Sequence, residues 1–240
     1  MKNTILHSDP LGLAYTAFQK GDKEASFILQ SEMFDDDSVP VSYFFREYEE
    51  MPAIEQIALQ SVYGRVLDVG AGSGSHSLYL QEHNYAVTAL DISPLAVEVM
   101  KKRGLTSVVC HNFFEYTGEK YDTLLFLMNG IGLVETCSSL PLFFKHASSL
   151  LKPNGQIILD SSDLIYLFET EDGSILLPLS NRYYGEISYK VMYENYISHM
   201  FNWLYVDFQT LCEAAHDAGF TCELVQQGNH YDYMARLQKV

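Results

Sequence analysis

Short apolar runs bounded by polar turns recur along the second three quarters of this chain. They fall at Arg65–Val69, Ala86–Asp91, Ser107–His111, Tyr121–Met128 and Gln156–Asp160, and each reads as a strand. Between them lie amphipathic stretches of helical length: one reaching about Asn84, one from Pro94 to Arg103, and one from about Leu140 to Leu151. Ser93-Pro94 supplies an N-cap with proline at the first helical position, and Lys152-Pro153-Asn154-Gly155 stops the third helix. The run Tyr121–Met128 is almost continuously apolar, as expected of a parallel strand covered on both faces. Strands alternating with helices at this spacing predict right-handed crossovers and a mostly parallel sheet.

The rhythm breaks after Asp160. Tyr183–Tyr193 and His199–Val206 read as two strands of an inserted hairpin, spanning about 180–206 and rich in aromatic residues. The period then resumes. Asp207 caps a helix to Ala218, Gly219 ends it, and Phe220–Gln226 and Tyr231–Leu237 form the last two strands. The short Gly228-Asn229 link makes that final pair antiparallel, because a parallel partner needs a long crossover.

Residues 1–63 precede this pattern and read as an N-terminal helical cover, or lid, on a domain of residues 64–240. Asp9-Pro10 starts a helix carrying Leu13, Tyr15 and Phe18, and a second helix runs from Ala53 to about Gln60. Asp35-Asp36-Asp37-Ser38-Val39-Pro40 reads as a solvated acidic loop. Tyr43-Phe44-Phe45-Arg46 either packs the cover down or closes over a ligand, with Arg46 meeting a carboxylate.

A hydrophobic content of 48% supports a sizeable core, and 240 residues suit one α/β domain with additions. The net charge of -16 argues against non-specific nucleic-acid binding and against an anionic membrane surface. Lys101-Lys102-Arg103 is the one basic run, and placement at a helix C-terminus accounts for it. Cys110, Cys137, Cys212 and Cys222 form no Cys-x-x-Cys and read as free thiols of a cytoplasmic protein. The eight histidines show no metal-ligand spacing, so no metal is expected.

The chemistry concentrates in Val66-Leu67-Asp68-Val69-Gly70-Ala71-Gly72-Ser73-Gly74-Ser75-His76. A strand runs into an acid, then into alternating glycines, then into a helix, so a ligand can approach bare backbone. A phosphate-binding turn avoids a carboxylate beside its amides, and Asp68 instead favours a cationic ligand. This Asp-x-Gly-x-Gly-x-Gly pattern resembles the first motif of the class I S-adenosylmethionine-dependent methyltransferases, small-molecule type. The seven strands with only the last reversed are similar to that family's Rossmann-like, doubly wound α/β sheet.

The resemblance implies S-adenosylmethionine as cofactor, with Asp68, Gly70, Ala71, Gly72 and Gly74 around its methionine end. Asp91, seventeen residues past Gly74, then takes the ribose hydroxyls, and Ile92 lies against adenine. Asn112 stands where the family commonly has Asp for the adenine amine, with Phe113 beside the ring. Met128 and Asn129, at the end of a central strand, border the transferred methyl, and Arg46 belongs to the same set. Asp163, Tyr184, Tyr193 and Trp203 are the candidates for the acceptor; Asp163 could orient a substrate or act as a base, but its position after a strand slightly favours a helix or turn cap. Direct in-line displacement needs no dedicated nucleophile, so no catalytic residue is assigned. The expected partner is a small-molecule acceptor, and the protein a monomer or homodimer. Two alternatives stand beside this reading: a cofactor-binding protein that does not transfer, and a nicotinamide-dependent oxidoreductase. Against the second, the third glycine comes one residue early for Gly-x-Gly-x-x-Gly.

Overall fold

The computed structural model describes residues 6–7, 9–170, 172–177 and 182–240. Residues 1–5 and 8 of the expected N-terminal cover, and positions 180–181 where the expected hairpin begins, lie outside the described residues. The strands are β1 (Leu6–His7), β2 (Ser26–Ser31), β3 (Asp37–Pro40), β4 (Arg65–Val69), β5 (Ala86–Asp91), β6 (Val108–Cys110) and β7 (Tyr121–Phe126). They continue as β8 (Leu151–Ser162), β9 (Glu186–Tyr193), β10 (Tyr196–Ile197), β11 (Phe201–Leu204), β12 (Phe220–Gln227) and β13 (Asp232–Lys239). The helices are α1 (Pro10–Gln19), α2 (Ala53–Gln60), α3 (Ser75–Glu82), α4 (Pro94–Lys102), α5 (Leu140–Leu150) and α6 (Phe208–Asp217).

Seven strands form one sheet in the order β12-β13-β8-β7-β4-β5-β6. The pairs β5–β6 and β7–β8 are parallel, and β13 runs antiparallel to both β8 and β12. This is the Rossmann-like α/β sheet expected, with the last strand reversed. β8 starts at Leu151 rather than Gln156: Leu151 opposes Tyr121, then the register shifts so that Gln156 opposes Thr123. Asn154, at φ +62°, turns the chain between them.

A second sheet runs β1-β10-β9-β2-β3, with β11 also on β9. The inserted strands therefore do more than form a hairpin, since β9 also pairs antiparallel with β2. Asp37–Pro40, expected as part of a solvated loop, is strand β3, with Pro40 opposite Ser26 and Asp37 opposite Leu29. The strand is exposed along most of its length, so it shows no apolar alternation to read. Pro40 fits there because an edge strand needs no donor on its outer side.

The chain divides into two compact units. The first comprises Met1–Met51, Leu67–Tyr116 and Ser188–Phe201, and the second Pro52–Val66, Thr117–Ile187 and Asn202–Val240. In the first, Tyr15 and Phe18 of α1, Phe27 of β2, Val99 of α4 and Val191 and Tyr193 of β9 share a buried cluster. α1 forms because Pro10 opens it and the Asp9 carboxylate accepts from Gly12 N at 2.8 Å. In the second unit Phe126, Phe143, Phe144 and Phe220 make a buried relay with centroids 5.3, 5.1 and 5.4 Å apart. Such aromatic pairs add about 0.5–1.5 kcal/mol each beyond their buried area.

A Cβ added to Gly132 would stand inside the Trp203 indole. Gly132→Ala is therefore expected to cost about 1–3 kcal/mol through overpacking. Thermal unfolding should show a lower Tm, and an unchanged Tm would contradict this packing.

Candidate functional site

In the first unit, β4 delivers a buried Asp68 to a turn whose three glycines all have positive φ: Gly70 at +71°, Gly72 at +57° and Gly74 at +89°. Two of them are needed for different reasons. A Cβ on Gly70 would meet nothing within 4 Å, so that backbone faces open space. At Gly74 a Cβ would lie 2.7 Å from Leu105 and 2.8 Å from Met100, so the third glycine lets the turn settle on the core. Ala71, between the first two, is buried in the same apolar cluster as Met100 and Leu105.

Asp91, at the carboxyl end of β5, reaches this turn. Its Oδ2 accepts from Gly72 N at 2.8 Å and its Oδ1 from Ser93 N at 2.8 Å. Burial lifts the carboxyl to about 6, against the pull of those two N–H groups, with Asp9 and Asp68 adding to the rise. Ser93 Oγ caps α4 at Ala96 N (2.9 Å) and donates to Asp9. Asp68 accepts from Ser77 Oγ at 2.7 Å. Burial raises its pKa, opposed by His76 and by the bonds from Ser77. The Asp68 carboxylate thus lies behind the turn and ties it to α3. Ile92, next to Asp91, is 69% exposed, unusual for a large apolar side chain.

A methyltransferase-domain profile matches residues 43–225. Over 99% of its length the chain is 45% identical to an S-adenosylmethionine-dependent methyltransferase from Bacteroides fragilis, solved with S-adenosyl-L-homocysteine, with a TM-score of 0.91 and 98% of that chain covered. This chain belongs to the S-adenosylmethionine-dependent methyltransferases. It is also 23% identical, over 62% of its length, to a mitochondrial ubiquinone-biosynthesis O-methyltransferase of Schizosaccharomyces pombe, and spans 58% of that protein. A sugar N-methyltransferase from a Streptoalloteichus species shares the fold, with a TM-score of 0.60 at 17% identity over 98% of this chain and 96% of that one.

The remaining candidates of this methyltransferase fall into place unevenly. Asn112 Oδ1 accepts from Phe114 N at 2.9 Å and so starts a short 3-10 turn, in which Phe113 is buried. Arg46 lies over the Tyr43 ring, 3.7 Å from its centroid. Tyr193 is buried in the α1–β9 cluster, so its ring packs the core. In the second unit, Met128 and Asn129 follow β7 with φ of +63° and +55°. Two successive left-handed non-glycine residues are a local strain of the kind found at functional sites. Asn129 Oδ1 accepts from Ser162 Oγ at 3.0 Å. Asp163 caps the turn after β8, accepting from Ile165 N at 2.9 Å, and its Oδ1 also accepts from Tyr184 Oη at 2.6 Å. Burial, then the bond to Asp163, pushes the Tyr184 phenol upward, so it stays protonated at neutral pH. Trp203 packs over Gly132.

Sequence reading missed two partners of the glycine turn. Tyr15, buried in α1, brings its hydroxyl to 3.4 Å from where a Gly72 Cβ would stand. Arg103, assigned only to the helix dipole, donates from Nη1 to Ser73 O (2.9 Å), Ser73 Oγ (2.8 Å) and Ser75 Oγ (3.1 Å). No local pattern announces contacts made across thirty residues.

The raised pKa of Asp91 has a defined sign. Its stabilising contribution is fully present below 3.8, the unfolded value, and is lost as pH rises through about 6. A carbon-13 NMR titration of the ligand-free protein should show the Asp91 carboxyl with a midpoint near 6. A midpoint near 3.8 would contradict its burial.

Proposed function

We propose that this chain transfers a methyl group from S-adenosylmethionine to a small-molecule acceptor, with the cofactor seated on the turn from Gly70 to Gly74. The observation that carries the reading is Asp91, fastened to the Gly72 amide at the end of β5, beside open backbone at Gly70 and an exposed Ile92. These residues fit the group: bare backbone for the methionine part, a carboxylate for two ribose hydroxyls, and an apolar side chain to cover a purine. When bound, the cofactor supplies an electrophilic methyl carbon on a sulfonium sulfur.

The protein's share is binding, orientation and exclusion of water. Asp91 accepts the ribose hydroxyls through lone pairs that Gly72 and Ser93 leave free. Asp68 places a buried carboxyl behind the turn, which disfavours a phosphate there. Asn112 and Phe113 serve the adenine end, with Arg46 among the cofactor contacts of the same unit; Met128 and Asn129, in the second unit, remain candidates from their strained backbone. For the acceptor, Asp163 keeps its second oxygen to take an N–H or O–H of the nucleophile, while Tyr184 donates to the first and fixes the carboxylate's rotation. Holding a nucleophile in line can supply on the order of 7–11 kcal/mol of the barrier reduction. Residues 64–240 act as the transferase domain and 1–63 as its cover, in a monomer or homodimer. The four free thiols fit a cytoplasmic protein.

Gly72→Val and Asp91→Ala test the cofactor seat. Each should weaken S-adenosylhomocysteine binding at least about tenfold, the scale of one charge-assisted hydrogen bond, with circular dichroism unchanged. Unchanged affinity in either would overturn the assignment. Tyr184→Phe and Asp163→Asn should leave cofactor affinity intact and lower kcat/KM for the methyl acceptor about tenfold. Intact cofactor binding with no methyl transferred across amine, phenol and carboxylate acceptors would identify a protein that binds without transferring.

A further inference from the structure

The glycine turn is soft by composition, yet everything proposed for the cofactor requires it to hold one shape. Three residues at positive φ give it many accessible conformations when unfastened. What fastens it is found at the end of α4. The Arg103 guanidinium reaches three acceptors of the turn, Ser73 O, Ser73 Oγ and Ser75 Oγ, from a single nitrogen. Both serine hydroxyls donate to one carbonyl, Phe44 O, with Ser75 Oγ at 3.0 Å. Each hydroxyl has one proton and spends it on Phe44, so each must accept from Arg103, which can only donate. The direction of every hydrogen bond in the network is thereby set.

The guanidinium is also held from its face, lying over the Phe45 ring 4.7 Å from the centroid. Burial lowers its pKa, while Glu47 and Glu82 oppose that fall, so the cation is balanced without a carboxylate entering the turn. One side chain therefore joins the C-terminus of α4, the cofactor turn and the segment 44–47. All three belong to the first unit.

We propose that Arg103 is a positioning residue for the cofactor: it preorganises the glycine turn through Ser73 and Ser75 and docks residues 44–47 onto it. The inference rests on the reading that this turn holds S-adenosylmethionine. Arg103 need not touch the ligand. Its contribution is that the turn's freedom is removed before binding rather than at the moment of binding, which raises affinity without adding a contact.

The test is equilibrium dialysis of S-adenosylmethionine and S-adenosylhomocysteine against wild type, Arg103→Met, Arg103→Lys and the double variant Ser73→Ala/Ser75→Ala, with amide hydrogen exchange across residues 70–76. Arg103→Met should weaken both ligands about tenfold and speed exchange of the turn amides in the ligand-free protein. Arg103→Lys, which keeps the charge but not the planar group lying over Phe45, should recover part of both effects. Should Arg103→Met fail to fold, the double serine variant decides, since it keeps the guanidinium and removes two of its acceptors; it should bind several-fold more weakly with faster exchange. Wild-type affinity and wild-type exchange in that variant or in Arg103→Met overturn the clamp and leave the cofactor assignment standing. Failure of wild type itself to bind either ligand overturns the cofactor assignment and the clamp with it.

Discussion

To seat the cofactor as proposed, the chain between β4 and α3 must be bare enough for a ligand to lie against its backbone and rigid enough to hold one shape. Those demands conflict, because glycine, which meets the first, weakens the second. The conflict is met from outside the turn. Asp91 accepts from the Gly72 amide, Asp68 anchors α3 through Ser77, and Leu105 and Met100 press on Gly74. The turn is largely buried and opens to solvent at Gly70, with buried neighbours holding the rest.

Electrostatics follows the same plan. Burial raises the carboxyl of Asp91 to about 6, and the nearby Asp9 and Asp68 add to the rise. Concentrated negative charge is poor support for a phosphate and good support for a sulfonium or an ammonium. In the second unit the polar chemistry is of another kind. Asp163 and Tyr184 form a carboxylate–phenol pair in which the phenol donates and burial pushes its pKa upward; in the proposed function this pair would orient a nucleophile.

What the sequence made legible was whatever is local or periodic. The strand–glycine–helix turn, the Ser93-Pro94 cap and the apolar run of β7 each carry their cause within a few residues, and so could be read directly. β3 could not be, because a strand exposed along most of its length shows no apolar period. The role of β9 in a second sheet was hidden because its partner β2 lies more than 150 residues earlier, and pairing over such distances leaves no local mark. Arg103 was read as a helix-end charge for the same reason: its partners are backbone and hydroxyl oxygens on a distant turn. Asn112 and Asp163 illustrate a different limit. Residue type and register placed them at strand ends; the cap at Asp163 was one of two readings the sequence offered, whereas the cap at Asn112 emerges only from the fold.

The central claim is that the turn from Gly70 to Gly74, with Asp91, is a seat for an adenosyl sulfonium cofactor. Calorimetric titration of the unaltered protein with S-adenosylmethionine, S-adenosylhomocysteine and NADH tests it most directly. The account predicts binding of the adenosyl pair on the order of micromolar Kd, about −8 kcal/mol, and none of NADH. Binding of NADH alone would contradict the reading of Asp68 and Asp91, and with it the assigned chemistry of the turn.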